Sequence, residues 1–210
     1  MNVAFIGAGQ VGGALAGSLR RAGHRVILGA RDAGSESIRR ARAKAPDLDV
    51  LPTAEAVLAA ETVFLATPYA ANADALAGLD FAGRILVDCT NPVGPGLTHG
   101  LASRVSGAEE VRRLAPGARV VKAFTIYGFE NFSDNRYGGY GDLRPAMLIA
   151  GDDEAAKTTV GRLCEDLGWR AVDAGPLASA LHLEHMTLLW IKMARVQGRG
   201  PGFVWAMLER

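Results

Sequence analysis

Val3-Ala4-Phe5-Ile6-Gly7-Ala8-Gly9-Gln10-Val11-Gly12-Gly13-Ala14-Leu15-Ala16 is the stretch that decides the fold. Four apolar, strand-type residues run straight into Gly-x-Gly-x-x-Gly, and a helix-forming pattern follows, which is the context a dinucleotide fingerprint requires. In that context Gly7 permits the tight turn and Gly9 lets backbone approach a pyrophosphate with no side chain in the way. Gly12, with Ala16 one turn later, lets the first helix lie close on the sheet. The N–H groups around Ala8, Gln10 and Val11 then face phosphate oxygens at the helix N-terminus. A second strand, Arg25-Val26-Ile27-Leu28, follows a Gly23-His24 break and completes the unit.

The residues after that second strand bear on which nicotinamide cofactor is held. An NAD site usually has an Asp or Glu at the end of the second strand, about 20 residues past the glycines, to bond the ribose hydroxyls. Here that position falls on Gly29 or Ala30, and Arg31 follows. Without the acid there is no repulsion toward a 2′-phosphate, and a guanidinium offers a planar fork that matches phosphate oxygens. Ser35 and Ser37 add hydroxyl donors just beyond. NADP is therefore expected, with Ala30, Arg31 and Ser35 in its site; the alternative is that Asp32 is the ribose acid and Arg31 points to solvent. Arg39, Arg40, Arg42 and Lys44 are read as the solvated face of the second helix.

Strand and helix signals alternate at short spacing through the first half, which argues for a doubly wound, mainly parallel α/β sheet of Rossmann type. Strands are expected at 2–6, 25–29, 48–51, 62–66, 84–88 and 118–122, and helices at about 10–22, 36–44, 53–59, 70–77 and 107–114. Ser106-x-x-Glu109 is a capping-box signature for the last of these, and Pro116-Gly117 ends it. Past Phe124 the pattern changes. A polar, aromatic, Gly-rich stretch from Asn131 to Arg144 precedes a strand at 146–150, and Asp152 or Asp153 caps a helix ending at Gly168. Trp169 to Val172 is a further strand, and Pro176 opens a long final helix to about Gln197. The expected division is a dinucleotide-binding domain over 1–125 and a smaller C-terminal α/β part over 126–210, which supplies the acceptor site and the dimer contact.

Composition narrows the function. The chain has 210 residues, 49% of them hydrophobic, with a formal net charge of +1. That is ample for a full core and carries no basic footprint for nucleic acid. Cys89 and Cys164 are read as reduced core residues, and no Cys or His cluster is spaced for a metal. The chain enters its first strand at once, leaving no room for a leader, and the apolar run Met186–Ala194 is short and contains Lys192, so no membrane span is expected. A cytoplasmic protein is the expectation.

Several phrases taken in order resemble one family. Besides the glycine motif there are Gly29-Ala30-Arg31-Asp32, Asp88-Cys89-Thr90-Asn91-Pro92, Val121-Lys122-Ala123-Phe124, Glu130-Asn131-Phe132, Ile149-Ala150-Gly151-Asp152-Asp153 and Asp173-Ala174-Gly175-Pro176-Leu177. This set resembles the NADPH-dependent F420 reductases (F420:NADP oxidoreductases), to which the cytosolic NADPH domain of STEAP metalloreductases is related. The resemblance covers essentially the whole chain. It implies a homodimer and hydride exchange between NADP(H) and a flavin-like partner, F420 first and FMN or FAD second. It also implies that Ala66, Thr67, Pro68, Asn91 and Pro92 lie beside the cofactor. Thr125 stands where the bacterial branch often has Asn, and Leu181 where it often has Arg.

Ring-to-ring hydride transfer needs no protein acid at a carbonyl, because the cofactors carry the redox chemistry and the protein aligns them. No catalytic residue is therefore assigned. Lys122, at a strand end, is a candidate charge partner for a reduced ring or an acceptor phosphate, or else an amphipathic lysine at the sheet margin. Asp88 is expected to bond nearby backbone. His182 and His185 are read either as polar contacts to an acceptor or as interface histidines, and Tyr137-Gly138-Gly139-Tyr140-Gly141 as either a lid or a plain loop. The apolar positions of the last helix exceed one stripe, so a second copy or the chain's own Phe203, Val204 and Trp205 covers the other side. Other functions remain open: an NADPH-dependent flavin or ferric reductase, a β-hydroxyacid dehydrogenase or imine reductase relative, for which the chain is short, and a non-catalytic NADPH-binding sensor.

Overall fold

The computed structural model describes residues 1–210 apart from the side chain of Lys44. The reading of Lys44 as part of a solvated face thus lies outside the described residues, while Arg39, Arg40 and Arg42 are exposed as expected. The chain runs β1 (Asn2–Ile6), α1 (Gln10–Arg21), β2 (Arg25–Ala30), α2 (Glu36–Lys44), β3 (Asp49–Pro52), α3 (Thr53–Leu58), β4 (Thr62–Leu65), α4 (Asn72–Leu76), β5 (Ile85–Asp88), α5 (Gly107–Leu114) and β6 (Arg119–Lys122). It continues with α6 (Phe129–Ser133), β7 (Ala146–Gly151), α7 (Glu154–Asp166), β8 (Arg170–Asp173) and α8 (Ala180–Ile191).

One eight-stranded sheet has the order β3-β2-β1-β4-β5-β6-β7-β8. The first six strands are parallel, β7 joins β6 antiparallel, and β8 runs parallel to β7. Successive side chains of a strand point to opposite faces, and the sheet separates its core accordingly. Val3, Phe5, Val26, Leu28, Phe64 and Val87 face one side, where α1 brings Leu15 and Leu19 and α7 brings Val160 and Leu163. Ala4, Ile6, Ile27, Val63, Leu65 and Leu86 face the other, against Val57 of α3, Leu76 of α4 and Val111 of α5. With helices on both faces, the central strands read as continuous apolar runs. The boundary expected near residue 125 falls just after β6, where the pairing turns antiparallel, and β7 and β8 extend the same sheet.

Local chemistry sets the element ends. Ser106 and Glu109 form both bonds of the capping box on α5, and the Asp153 carboxylate caps α7 by accepting the Ala156 N–H at 2.7 Å. Two elements differ from the sequence reading. A short helix, α6, sits inside the stretch read as irregular; its Phe132 packs on Phe124 and Trp169, so tertiary burial holds a five-residue helix with little intrinsic stability. The final helix begins as a 3₁₀ turn at Leu177–Ser179 and ends as a π segment over Lys192–Val196. Trp190 stacks on Phe203 and donates its indole N–H to the Phe203 carbonyl at 3.1 Å, so the C-terminal segment covers one side of α8. The Gly-rich stretch is fastened to the C-terminal end of α1, through Ser18 to the Phe132 carbonyl and Arg21 to the Ser133 carbonyl, and to α7 through Asn135 to the Leu167 carbonyl. Ser18 lies nine positions past Gly9, about 14 Å along the helix at 1.5 Å per residue, so the near end of this stretch is anchored away from the glycine turn. Among the described residues no helix is long and apolar enough to cross a membrane, and no His, Cys, Asp and Glu cluster suits a metal.

Candidate functional site

The glycine turn joins β1 to α1 at the point where strand order reverses, with β2 on one side of β1 and β4 on the other. In such sheets the crevice outside the carboxyl ends of the strands at this point is where ligands bind. The three glycines are needed for different reasons. Gly7 has φ +100°, and a Cβ there would lie 2.7 Å from the Ala66 backbone. A Cβ on Gly12 would lie 2.0 Å from the Gly7 carbonyl oxygen, so the turn itself demands glycine. Gly9 is in ordinary extended backbone, and a Cβ there would meet nothing within 4 Å. The fold does not require glycine at 9; a ligand approaching the backbone does. No side chain caps α1 and no acid sits in its first turn, so its amides stay available to an anion.

A crevice of about 300 Å³ runs from Gly7 and Ala8 over the end of β2 to Ala30, Arg31 and Ser35. Ala30 is the last residue of β2, so the strand ends on a side chain too small and apolar to bond a ribose. Arg31 comes next; it is exposed and has no ion pair among the described residues. The Asp32 carboxylate accepts the Gly34 N–H at 2.8 Å and so closes the turn into α2, which argues against its being the ribose acid. Ser35 is the N-cap of α2 yet makes no capping bond, and its hydroxyl lies 3.4 Å from that of Ser37. A guanidinium, two hydroxyls and an uncapped helix N-terminus thus converge where a 2′-phosphate is expected. The donor set fits that group.

On the other side of the turn, β4 and β5 end in Ala66-Thr67-Pro68 and Thr90-Asn91-Pro92. A chain of bonds ties these ends together. Thr67 donates to Asn72 at 2.7 Å, Asn72 to the Thr90 hydroxyl at 2.9 Å, and Thr90 to Asp88 at 2.7 Å. Ala66, Thr67 and Asn91 are half-buried, Pro68 is exposed, Pro92 is buried, and Gln10 and Val11 stand at the mouth of the turn. Beside Asn91 lies a second cleft of about 310 Å³ walled by Pro68, Tyr69, Pro92 and Val93. Burial, and then the carboxylates of Glu110, Glu184 and Asp88, raise the Tyr69 phenol above its ordinary range and keep it protonated.

Lys122 requires a correction. Its side chain has no exposed surface, and its ammonium bonds Asp88 and Glu184 at 2.9 Å each and the Thr90 carbonyl. It is not presented to a ring or to an acceptor phosphate. Apolar strands on either side bury β6, and a lysine there keeps its charge only by meeting acids from β5 and α8. Burial works to lower the Lys122 ammonium, but Asp88 and Glu184 together hold it above the ordinary lysine range. Burial likewise works to raise the Glu184 carboxyl, and Lys122, His99 and the Gly107 N–H bring it below the usual carboxylate range. His99 accepts backbone N–H groups of Leu101 and Ser103 at Nδ1, so its Nε2 carries the hydrogen given to Glu184 at 2.7 Å. His185 is exposed, stacks on His99 and meets the Ser103 hydroxyl at 3.1 Å; His182 is exposed. Asp88 does bond nearby backbone as expected, the Thr90 N–H at 2.9 Å, but it is equally the partner of Lys122.

The family model for NADP oxidoreductase, coenzyme F420-dependent, matches residues 2–92. The F420-dependent NADP reductase of Methanothermobacter marburgensis is 31% identical over 211 residues, covering 92% of each chain. The chain belongs to this family. Rat metalloreductase STEAP3 is 32% identical over 189 residues, which is 89% of this chain but 36% of that protein. The chain therefore spans about a third of the metalloreductase. The crystal structure of a putative F420-dependent NADP reductase from Arthrobacter sp. FB24 superposes with a TM-score of 0.83 at 28% identity over the full length of both chains. The family is one of NADP-dependent oxidoreductases, and the fold is Rossmann-like.

Sequence reasoning assigned no role to Glu184, His99, Asn72 or Thr187. A signal for the first was present: Glu184 is the lone acid in a strongly apolar helix, and Lys122 the lone charge facing inward in an apolar strand. Two such residues call for each other, since neither is buried alone without losing its charge. For Asn72 and Thr187, which act through hydroxyl and amide bonds across loops, no sequence pattern exists.

Proposed function

We propose that this chain transfers hydride between NADP(H) and a flat, flavin-like acceptor, F420 first and FMN or FAD second. The observation that carries the cofactor half is Gly9, a glycine that the fold itself does not use, set between uncapped amides and the Arg31–Ser35 corner. The glycine turn would take the pyrophosphate through the amides of Ala8, Gln10 and Val11, and Arg31 with Ser35 would take the 2′-phosphate. A dinucleotide extends both ways from its pyrophosphate, so with the adenosine end over β2 the nicotinamide end falls over β4 and β5. There Ala66, Thr67, Pro68, Asn91 and Pro92 would flank the ring. The nicotinamide, when bound, supplies a hydride from C4. The protein's part is to hold one face of the ring against the proline-edged loops, leave the other open to a flat acceptor, and keep water out.

The acceptor assignment is supported by the family and by the absence of charge on the cleft walls formed by Pro68, Pro92 and Val93, which suit a planar ring. The homodimer and the cytoplasmic setting belong to the same proposal; the half-exposed Leu189 and the exposed Val196 on the last helix are where a second copy would sit. The test is a titration with NADPH and NADH followed by anaerobic incubation of the protein with NADPH and F420, FMN or FAD, read by the acceptor's absorbance. Reduction of F420 with a preference for NADPH is expected. Tight NADPH binding with no turnover on any of the three would favour the sensor, and turnover with cyclic imines alone would favour the imine reductases.

A further inference from the structure

Asn91 is held by more than its own loop. Its side-chain oxygen accepts the Thr125 hydroxyl at 2.5 Å and the Thr187 hydroxyl at 3.1 Å, and its Nδ2 donates to the Thr125 carbonyl at 3.4 Å. The first distance fixes which way the amide points: 2.5 Å suits O–H···O and is too short for N–H···O. With Oδ1 accepting the Thr125 hydroxyl and sharing that of Thr187, and one Nδ2 hydrogen spent on the Thr125 carbonyl, the second Nδ2 hydrogen has no partner among the described residues. Asn91 is half-buried and lines the cleft, so this hydrogen is available to a ligand bound there.

The two hydroxyls reach Asn91 from different elements, each under constraint. Thr125 follows Phe124, a buried residue at φ +52°, a region bulky side chains rarely adopt. The Phe64 and Phe132 rings, 5.8 and 6.0 Å away, pack against the Phe124 ring and hold it there, and both the hydroxyl and the carbonyl of Thr125 meet Asn91. Thr187 comes from α8, one turn after Glu184, whose bond to Lys122 fixes the helix against β6. Its single proton is shared among Asn91 Oδ1 and the Thr125 and Leu183 carbonyls, at 3.0 to 3.1 Å.

We propose that Thr125 and Thr187 are positioning residues that lock the Asn91 amide so that it gives one N–H to the carboxamide oxygen of the nicotinamide. This rests on the cofactor placement above. A flipped amide would present its oxygen to that carbonyl instead and repel it, so the lock selects the polarity of the contact as well as its place. It also makes a C-terminal helix part of the nicotinamide site, although that helix lies far along the chain from the glycine motif.

The test needs no electron acceptor. Binding of NADPH is compared with that of 2′-phospho-ADP-ribose, which has everything but the nicotinamide, in the wild type, Thr187→Val, Thr187→Ser and Asn91→Ala. One hydrogen bond lost at the ring corresponds to a loss of about threefold to tenfold in NADPH affinity with the fragment unchanged. Thr187→Val and Asn91→Ala should both show that selective loss, and Thr187→Ser, which keeps the hydroxyl, should restore it. Equal effects on the two ligands, or none, would overturn the positioning role while leaving the cofactor reading intact. Wild type that binds neither ligand would overturn both. Should Thr187→Val not fold, the half-exposed Asn91→Ala carries the same comparison, and an unchanged ratio there overturns the proposal.

Discussion

Replacing Lys122 with Met removes one ammonium and leaves two carboxylates, Asp88 and Glu184, in a region with 0–1% exposure. The methionine fills nearly the same volume, so packing loss is minor and the effect isolates the charge. Breaking a buried ion pair by removing one partner typically costs about 3–5 kcal/mol, because the remaining charge is left uncompensated. For a chain of this size each kcal/mol moves Tm by about 2–4 °C, so thermal unfolding of Lys122→Met should fall by about 6–20 °C. The same substitution should leave affinity for 2′-phospho-ADP-ribose nearly unchanged in the fraction that stays folded, since Lys122 does not line the crevice at Arg31.

The pH dependence has a definite sign. In the wild type the Glu184 carboxyl is depressed below its ordinary value, so its stabilisation is present above that value and is lost as pH falls through the depressed one. The Lys122 ammonium is raised, so its contribution is present below the ordinary lysine value and is lost only as pH rises beyond the raised one. Neutral pH lies on the plateau between them. In Lys122→Met, burial, the largest influence on Glu184, acts without the ammonium to oppose it, and the carboxyl is driven to take up a proton. The variant's deficit should therefore be greatest near pH 8 and shrink toward pH 5. Differential scanning calorimetry of both proteins at the two pH values measures this. A deficit under about 1 kcal/mol, the scale of an exposed pair, or one equal at both pH values, would refute the buried cluster as the fastening of α8 to the sheet.

Other outcomes follow from the cofactor crevice. Arg31→Ala should weaken NADPH by about ten- to a hundredfold, the worth of a charge-assisted bond of about 1.5–3 kcal/mol, while NADH changes little; equal losses on titration would remove the 2′-phosphate role. Gly9→Val should unfold like the wild type yet lose dinucleotide binding, whereas Gly12→Ala, whose Cβ would lie 2.0 Å from the Gly7 carbonyl, should lose stability first; the reverse order by calorimetry and titration would contradict the division between a ligand glycine and a turn glycine. With NADPH deuterated at C4, label should pass from one face of the nicotinamide to the ring carbon that accepts hydride in F420, a deazaflavin, and stay there without exchange into water, as mass spectrometry of the acceptor would show; washout of label from that carbon would place a protein acid or base on the path.

Much of this was legible from the chain because the relevant physics is local. The glycine turn, the Ser106–Glu109 capping box and the apolar runs of the central strands each depend on residues a few positions apart, and each appears where its pattern predicts. The end of β2 was legible for the same reason: Ala30 and Arg31 are read by counting from the glycines. What escaped is non-local. Phe129–Ser133 becomes helical because Phe132 finds Phe124 and Trp169, and nothing in its five residues announces that.

Lys122 shows how the same residue type yields opposite readings by reach alone. At a strand end it has the position of a catalytic or charge-pairing lysine, and on sequence grounds that reading competes only with a margin lysine. The deciding fact is that β7 pairs outside β6, so the strand is interior and its end is covered by α8. A lysine at an edge would snorkel to water; one in an interior strand must be met by acids, and Asp88 and Glu184 meet it. The consequence reaches the cofactor. The Lys122–Glu184 bond sets where α8 lies, α8 sets where Thr187 lies, and Thr187 with Thr125 sets the direction of the Asn91 amide. On the proposed cofactor placement, a lysine that touches no ligand would thereby act on the geometry at the nicotinamide, and Lys122→Met should blunt the NADPH-over-fragment preference before it blunts binding at Arg31.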